Sequence, residues 1–380
     1  MRFLRAAIQQ LKRYSAWLRG PVALVMGYLR AAIQQLRRYW TWLKWPVALL
    51  LLAYLFYSNR QDLEKLAAGP KDWFYLILAF VLCAAAMLLT FYRWYLLVWA
   101  QDFPFTLRDA LRLGYIGYLF GYVAPGSAGG DVVKAAMIAT EQKSRKGVAA
   151  ATVLLDRILG VLALFMVGAL ATFFQDPRLL QNGAFRACVA LLWAGSAGGV
   201  VGFIVMLHPA FPRSRILARL VRLPKVGRLI GGLVNAVLLY QQRRAVLVMT
   251  VLISIVGHFG TLSSFYYCGL AIRAGNAAPG YWTQLLLIPI AELLAFVIPV
   301  PGGIGVLEGG VGKCYGLANE ALGIVGVTAA QASGAGFAAA LANRVVTIII
   351  VAIGAGYYMT ARSEIGRALT PPPVSQQPES

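Results

Sequence analysis

Along this chain charge is the sparse signal and apolarity the background. Stretches 73–92, 187–207, 245–272 and 321–343 carry no Asp, Glu, Lys or Arg, and each reaches the about 20 residues that a helix needs to cross the hydrocarbon. Shorter uncharged runs at 45–59, 113–130, 158–175, 274–291, 293–307 and 345–361 adjoin one another in several places across a single charged residue. The pattern predicts long buried or lipid-facing helices, with the isolated intramembrane charges as the positions of interest.

Composition takes the same direction. Apolar residues make up 59% and charged residues 13%, against about 45–50% and 25% in soluble domains. The fold class is an all-α polytopic membrane protein. The chain holds 35 Lys and Arg against 14 Asp and Glu, a net charge of +21. These cations are divided among loops instead of forming one basic surface, so nucleic acid is not the expected partner.

Segments 1–44, with nine Lys/Arg, and 208–244, with eight and no acid, both belong on the cytoplasmic side by the positive-inside rule. An even number of crossings must separate them. The arrangement that satisfies this has spans at 45–58, 73–100, 147–174 and 187–207, then 245–272 outward and 329–358 returning. It leaves 113–138 and 281–318 as re-entrant pairs, broken at Pro125-Gly126 and at Pro299 to Gly303. Broken backbone at membrane depth is tolerated where protein or a watery cavity surrounds it. Six full spans plus two broken-helix hairpins in an inverted repeat, about 73–174 and 245–358, is therefore the expected architecture, with eight ordinary spans as its alternative. Arg93, Arg157, Lys313 and Arg344 are the cations this arrangement leaves at membrane depth.

The ends carry less. Residues 4–28 and 29–54 are near copies, and in the second Leu29, Ile33, Leu36, Trp40 and Leu43 form one apolar helical stripe. The duplicated basic arm 1–44 suits a helix lying on an anionic lipid surface; the plainer reading is a local duplication that merely extends an anchor. No signal-peptide core is evident. The proline-rich polar tail 362–380 is expected to lack structure.

Two segments stand out: Tyr122-Val123-Ala124-Pro125-Gly126-Ser127-Ala128-Gly129-Gly130-Asp131, and Ile298-Pro299-Val300-Pro301-Gly302-Gly303-Ile304-Gly305-Val306-Leu307-Glu308. Each follows an apolar half-helix, breaks at Pro-Gly, and places a carboxylate a few residues on. Pro125, Pro299 and Pro301 remove amide donors at the breaks. Each motif is followed by a small-residue helix bearing one arginine, with Asp156-Arg157 in the first and Asn343-Arg344 in the second. Half-helix N-termini at Gly126, Gly129 and Gly130, and at Gly302, Gly303 and Gly305, could cradle a phosphate, and Arg157 and Arg344 could clamp it. Such a repeated, inverted arrangement is how many transporters build a midplane site.

The first motif, the downstream Asp156-Arg157, the PGGIGxxE second motif and the final arginine helix together resemble the flippase-like membrane family named after the transmembrane region of lysylphosphatidylglycerol synthase. The resemblance covers roughly 45–360 and implies movement of aminoacylated or other phospholipid between leaflets. Other members are linked to isoprenoid or hopanoid lipids. By motif match, Asp131, Arg157, Glu308 and Arg344 are the implied substrate-binding positions. Only 22 residues follow Tyr358, so the aminoacyl-transferase domain of the full synthases is expected to be absent, and lipid synthesis with it.

Each residue also has a plainer reading. Asp131 and Glu308 complement a helix dipole. Glu292, Asp156 and His258 are candidates for coupling; Glu292 equally serves as an arginine's internal partner, and His258, between Gly257 and Gly260, as a close-packing residue with one hydrogen bond. Adjacent helical residues diverge, so Asp156 is expected to pair with something other than Arg157. Arg93 and Lys313 are expected to reach for the interface from helix ends. Cys83, Cys188, Cys268 and Cys314 are isolated, and His208 and His258 make no metal motif. No catalytic residues, cofactor or metal are expected. The expected partners are a phospholipid or other lipid substrate and the anionic membrane surface, with a homo-oligomer allowed. The expected location is a bacterial inner membrane with both termini cytoplasmic. The competing functions are an accessory or enzyme subunit in a lipid-linked sugar, polyprenol or hopanoid pathway, and an ion- or proton-coupled solute carrier.

Overall fold

The computed structural model describes residues 57, 60, 64, 69–123, 129–142, 145–211, 214, 227–298 and 300–369. The basic arm 1–44, the crossing expected at 45–58 save Tyr57, and Pro125, Gly126 and Pro299 of the two breaks lie outside the described residues, as do 370–380. Among the described residues every regular element is helical.

The expected order recurs twice. A long helix α1 (Trp73–Trp99) leads into a broken pair, α2 (Leu107–Val123) and α3 (Gly129–Glu141), and then a long helix α4 (Lys146–Ala171). A short α5 (Pro177–Gln181) and the long α6 (Gly183–Leu207) follow, then α7 (Gly227–Gln242). The second set is α8 (Arg244–Ala271), the broken pair α9 (Tyr281–Val297) and α10 (Val306–Leu322), and α11 (Ala329–Leu369). Five of these are long and apolar enough to cross a membrane: Trp73–Trp99, Lys146–Phe174, Gly183–Leu207, Arg244–Ala271 and Ala329–Ile353.

The half-helices of the broken pairs, at 13 to 17 residues, are shorter than the five long helices. Helix α3 has 13 residues, about 20 Å at 1.5 Å per residue, against a hydrocarbon thickness of about 30 Å.

The two sets run in opposite directions. The first helices of the sets, α1 and α8, pair so that rising numbers on one meet falling numbers on the other. The Asp72 amide donates to the Ala271 carbonyl (2.9 Å), the Ser264 hydroxyl to the Ala79 carbonyl (2.9 Å), and the Arg93 Nη1 to the Ser254 hydroxyl (2.7 Å). Small residues permit the approach: Ala79, Cys83 and Ala86 are buried against Gly257, Gly260 and Ser264, the close packing that membrane helices use in place of a hydrophobic drive.

Each set also lends a helix to the other. Helix α9 lies on α4, where Pro289 packs beside Gly168 and Gln175 donates to the Trp282 carbonyl (2.9 Å). Reciprocally, α2 lies on α11, where the Tyr122 hydroxyl donates to Thr347 Oγ1 (3.1 Å). The arginine-bearing helix of each set is thus covered by the first half-helix of the opposite set.

Two expectations change at the periphery. The second half of the basic segment 208–244 is a helix, because α7 carries an apolar face that buries Ala236, Val237 and Tyr240. The Tyr240 hydroxyl donates to the Leu97 carbonyl (2.7 Å) and Gln101 to the Ala236 carbonyl (3.1 Å). Helix α11 continues to Leu369, so residues 362–369 of the expected unstructured tail are helical. No proline falls between 357 and 369, and the single Gly366 does not end the helix.

Candidate functional site

The site forms where the two sets meet. Arg157 lies near the midpoint of the 26-residue α4, about 17 Å from its start, and His258 near the midpoint of the 28-residue α8. Around this depth α1 to α4, α8, α9 and the Gly302–Gly303 turn enclose a cavity of about 390 Å³. Of the sequence-expected site residues, Gly130, Asp131, Asp156, Arg157, His258, Glu292, Gly302 and Gly303 line it. Glu308, Arg344, Gly129 and Gly305 do not.

On the first set, Asp131 occupies the first turn of α3, where a carboxylate complements the helix dipole. Its Oδ2 lies 3.3 Å from the Arg157 Nε, and the two side chains remain 30% and 40% exposed. The Arg157 guanidinium also lies over the Phe296 ring, 4.9 Å from its centre. This is an open ion pair at the mouth of the cavity. Gly130, expected to cradle an anion, is where α3 crosses α2: an added Cβ would overlap the Gly117 carbonyl. Only glycine permits that crossing.

The second set uses the same residue types differently. Gly302 (φ 58°), Gly303 (φ 63°) and Gly305 (φ 80°) all adopt the left-handed region, which a side chain disfavours. Arg344 Nη1 donates to the Gly302 carbonyl (2.8 Å) and its Nε to Glu308 Oε1 (2.6 Å). The other Glu308 oxygen accepts from the Gly305 amide (2.8 Å), capping α10. The side chains of Arg344 and Glu308 are 11% and 1% exposed. The geometry makes this pair the brace of the second break and leaves the cavity to the first pair.

Arg93 departs from its expected place. It is 5% exposed because Ala79, Ala86 and Arg93 repeat at seven residues and share the face of α1 toward α8. Its Nε donates to Asp156 Oδ1 (2.7 Å), and Gly160 leaves room for the guanidinium, 3.2 Å from where a Cβ would be. Asp156 thus pairs away from Arg157, as adjacent helix positions require. Lys134 completes the cluster, with Nζ 4.0 Å from Asp156 Oδ2 and 4.1 Å from the centre of the Trp94 ring. His258 Nε2 is 2.9 Å from the Gly160 carbonyl; a carbonyl only accepts, so that nitrogen carries the proton.

Sequence reasoning passed over Lys134 and the cavity-lining tyrosines Tyr118 and Tyr122. A signal for Lys134 existed, since it follows Asp131 by three residues and so shares its helix face. Tyr122 had no such signal: its ring packs on Gly302, across the interface between the sets. Lys313 is exposed, but it lies in the middle of α10 and not at the helix end expected of it. Among the described residues no group of three or more His, Cys, Asp or Glu is placed to hold a metal ion.

This arrangement can be set beside known proteins. The family model described as "Lysylphosphatidylglycerol synthase TM region" matches residues 41–355. The chain belongs to this family. The match takes in both sets of helices, both breaks and all the cavity charges, in agreement with the resemblance carried by the motifs. Curated proteins and solved structures yield no match to the chain. Membership in the lysylphosphatidylglycerol synthase TM family supports a general role connected with membrane lipid.

Proposed function

We propose that the protein is a lipid flippase that moves a phospholipid or related lipid, with an anionic or aminoacylated headgroup, between the leaflets. The observation that carries this reading is the open Arg157–Asp131 pair at mid-depth beside lipid-facing apolar side chains. Leu154 and Ile158 of α4, Val132 of α3 and Leu294, Phe296 and Val297 of α9 are all exposed around a charged pair that is itself 30–40% exposed. A buried charge at this depth costs about 2.5–3.5 kcal/mol on insertion scales, so an exposed pair facing hydrocarbon calls for a polar ligand that arrives through the lipid. A cavity of about 390 Å³ suits a headgroup, and the acyl chains remain outside in the bilayer.

The Arg157–Asp131 pair, still 30–40% exposed, then meets the headgroup first as it enters from the lipid. Alternating exposure arises from movement of one set of helices against the other, as inverted repeats permit. The lipid leaves chemically unchanged. The basic segments 1–44 and 208–244 set both termini on the cytoplasmic side of a bacterial inner membrane and draw anionic lipid to that face.

The test is a proteoliposome assay with fluorescent phospholipids and an impermeant quencher. Wild-type protein is expected to expose inner-leaflet label and Arg157→Gln to abolish this while remaining folded. Undiminished movement by the variant, or none by wild type with any phospholipid, would refute the reading.

A further inference from the structure

Building on the flippase reading, we infer that the headgroup is zwitterionic, carrying one phosphate and one ammonium, and that Lys134 and Glu292 receive those two charges.

The inference comes from which charges in the cavity are already matched. Arg93 of α1 is taken by Asp156 of α4 at 2.7 Å, with both side chains under a tenth exposed. Arg157 of α4 is taken by Asp131 of α3 at 3.3 Å. From α8, His258 makes its bond to a carbonyl, and Arg344 and Glu308 are engaged with each other behind the glycine turn. The remaining polar groups facing the cavity from α2 are the phenols Tyr118 and Tyr122.

Two charges are left. The Lys134 side chain is 8% exposed, and its nearest carboxylate oxygen is 4.0 Å away, beyond hydrogen-bond reach, on an Asp156 that already holds Arg93. Among the described residues its three donors find no acceptor, and the Trp94 ring supports the ammonium from one side only. Glu292 lines the same cavity and, among the described residues, makes no hydrogen bond or ion pair. A buried ammonium without acceptors is costly. Ligand oxygens on Lys134 and a ligand ammonium on Glu292 answer both deficits at once.

Among the described residues the cavity holds as many acidic as basic side chains, so an uncharged headgroup leaves both groups unmatched and a purely anionic one leaves Glu292 unmatched. A zwitterion leaves neither. Lys134 belongs to the first set of helices and Glu292 to the second, so the same ligand bridges the two halves whose relative movement would carry it.

The test is calorimetric binding of dioctanoyl phosphatidylethanolamine, dioctanoyl phosphatidylglycerol and dioctanoylglycerol to the purified full-length protein. Phosphatidylethanolamine is expected to bind on the order of tenfold more tightly than phosphatidylglycerol, and dioctanoylglycerol not to saturate. Glu292→Gln should erase that preference by weakening phosphatidylethanolamine alone. Lys134→Gln should weaken both phospholipids, with partial recovery in Lys134→Arg. Phosphatidylglycerol binding as tightly as phosphatidylethanolamine to wild type, or an unchanged ratio in Glu292→Gln, overturns the inference while leaving the flippase reading standing. Saturable binding by none of the three overturns the lipid reading itself. Glycerophosphoethanolamine binding as tightly as its diacyl form supports the zwitterion and overturns the lipid as its source. The wild-type ratio needs no variant, so a misfolded mutant cannot hide the answer.

Discussion

Arg93 Nε donates to Asp156 Oδ1 over 2.7 Å, with the two side chains 6% and 8% exposed, and the same guanidinium reaches Ser254 on the opposite set of helices. One arginine therefore ties together three long helices, α1, α4 and α8, at the wall of the cavity. Removing one partner of such a buried pair leaves an uncompensated charge, a loss of about 3–5 kcal/mol. Arg93→Met and Asp156→Leu should each lower the thermal unfolding midpoint in detergent sharply. The Arg93→Met/Asp156→Leu double variant should be less damaged than the sum of its parts. Additive losses would mean that the two side chains do not depend on each other.

Arg344 should tolerate lysine poorly. It satisfies the Gly302 carbonyl and the Glu308 carboxylate from two different nitrogens, a fork that an ammonium on a flexible stem cannot reproduce. Arg344→Lys is expected to lower stability by about 1–3 kcal/mol. Arg157→Lys, at an exposed pair, should leave the unfolding midpoint nearly unchanged. Equal effects of the two lysines would remove the distinction drawn between a brace and an open site.

The glycine turn gives a graded comparison. Gly302→Ala meets both a left-handed backbone and the Tyr122 ring, and should cost about 1–3 kcal/mol. Gly130→Ala meets the Gly117 backbone, which has no rotamer with which to move away, and should reduce folded yield most. Gly121→Ala faces open space and serves as the control. A fold that treats all three alike would contradict the crossing of α2 and α3.

Opposed directions for α1 and α8 can be read by cross-linking. A Cβ at Gly260 would lie 3.2 Å from the Ala86 Cβ, close to the about 3.5–4.5 Å that a disulfide spans. In a cysteine-free background, Ala86→Cys with Gly260→Cys should join under mild oxidation, so that a cut in 208–244 no longer separates the fragments on a denaturing gel. Ala79→Cys with Ile253→Cys, the contact that parallel helices would make, should not. The reverse result would mean that the helices pair in parallel.

Much of this was legible in one dimension because membrane burial is written in long uncharged runs. The boundaries of α1, α4 and α8 fall within three residues of the spans expected at 73–100, 147–174 and 245–272, and α2 and α9 end two residues before Pro125 and Pro299 in the sequence. Charges at membrane depth were equally visible, since each interrupts an apolar helix. What each charge does was not. Arg157 and Arg344 occupy matching places in the two repeats, yet one faces a cavity and the other a carbonyl. That difference rests on Gly302 turning its oxygen toward α11, a fact of backbone geometry. Arg93 was misjudged from its nearness to a helix end, while its partner lies 63 residues away in sequence.

The sequence by itself determined that this is a helical membrane protein, that its helices come in two similar sets, and which polar residues are held at depth, because the cost of placing charge and broken backbone in hydrocarbon is local to each segment. The tertiary structure alone decided which charges are matched to one another and which are not. Pairing depends on distances of a few ångströms between helices far apart in the chain, and the antiparallel packing of α1 on α8, with α2 and α9 exchanged between the sets, creates those distances.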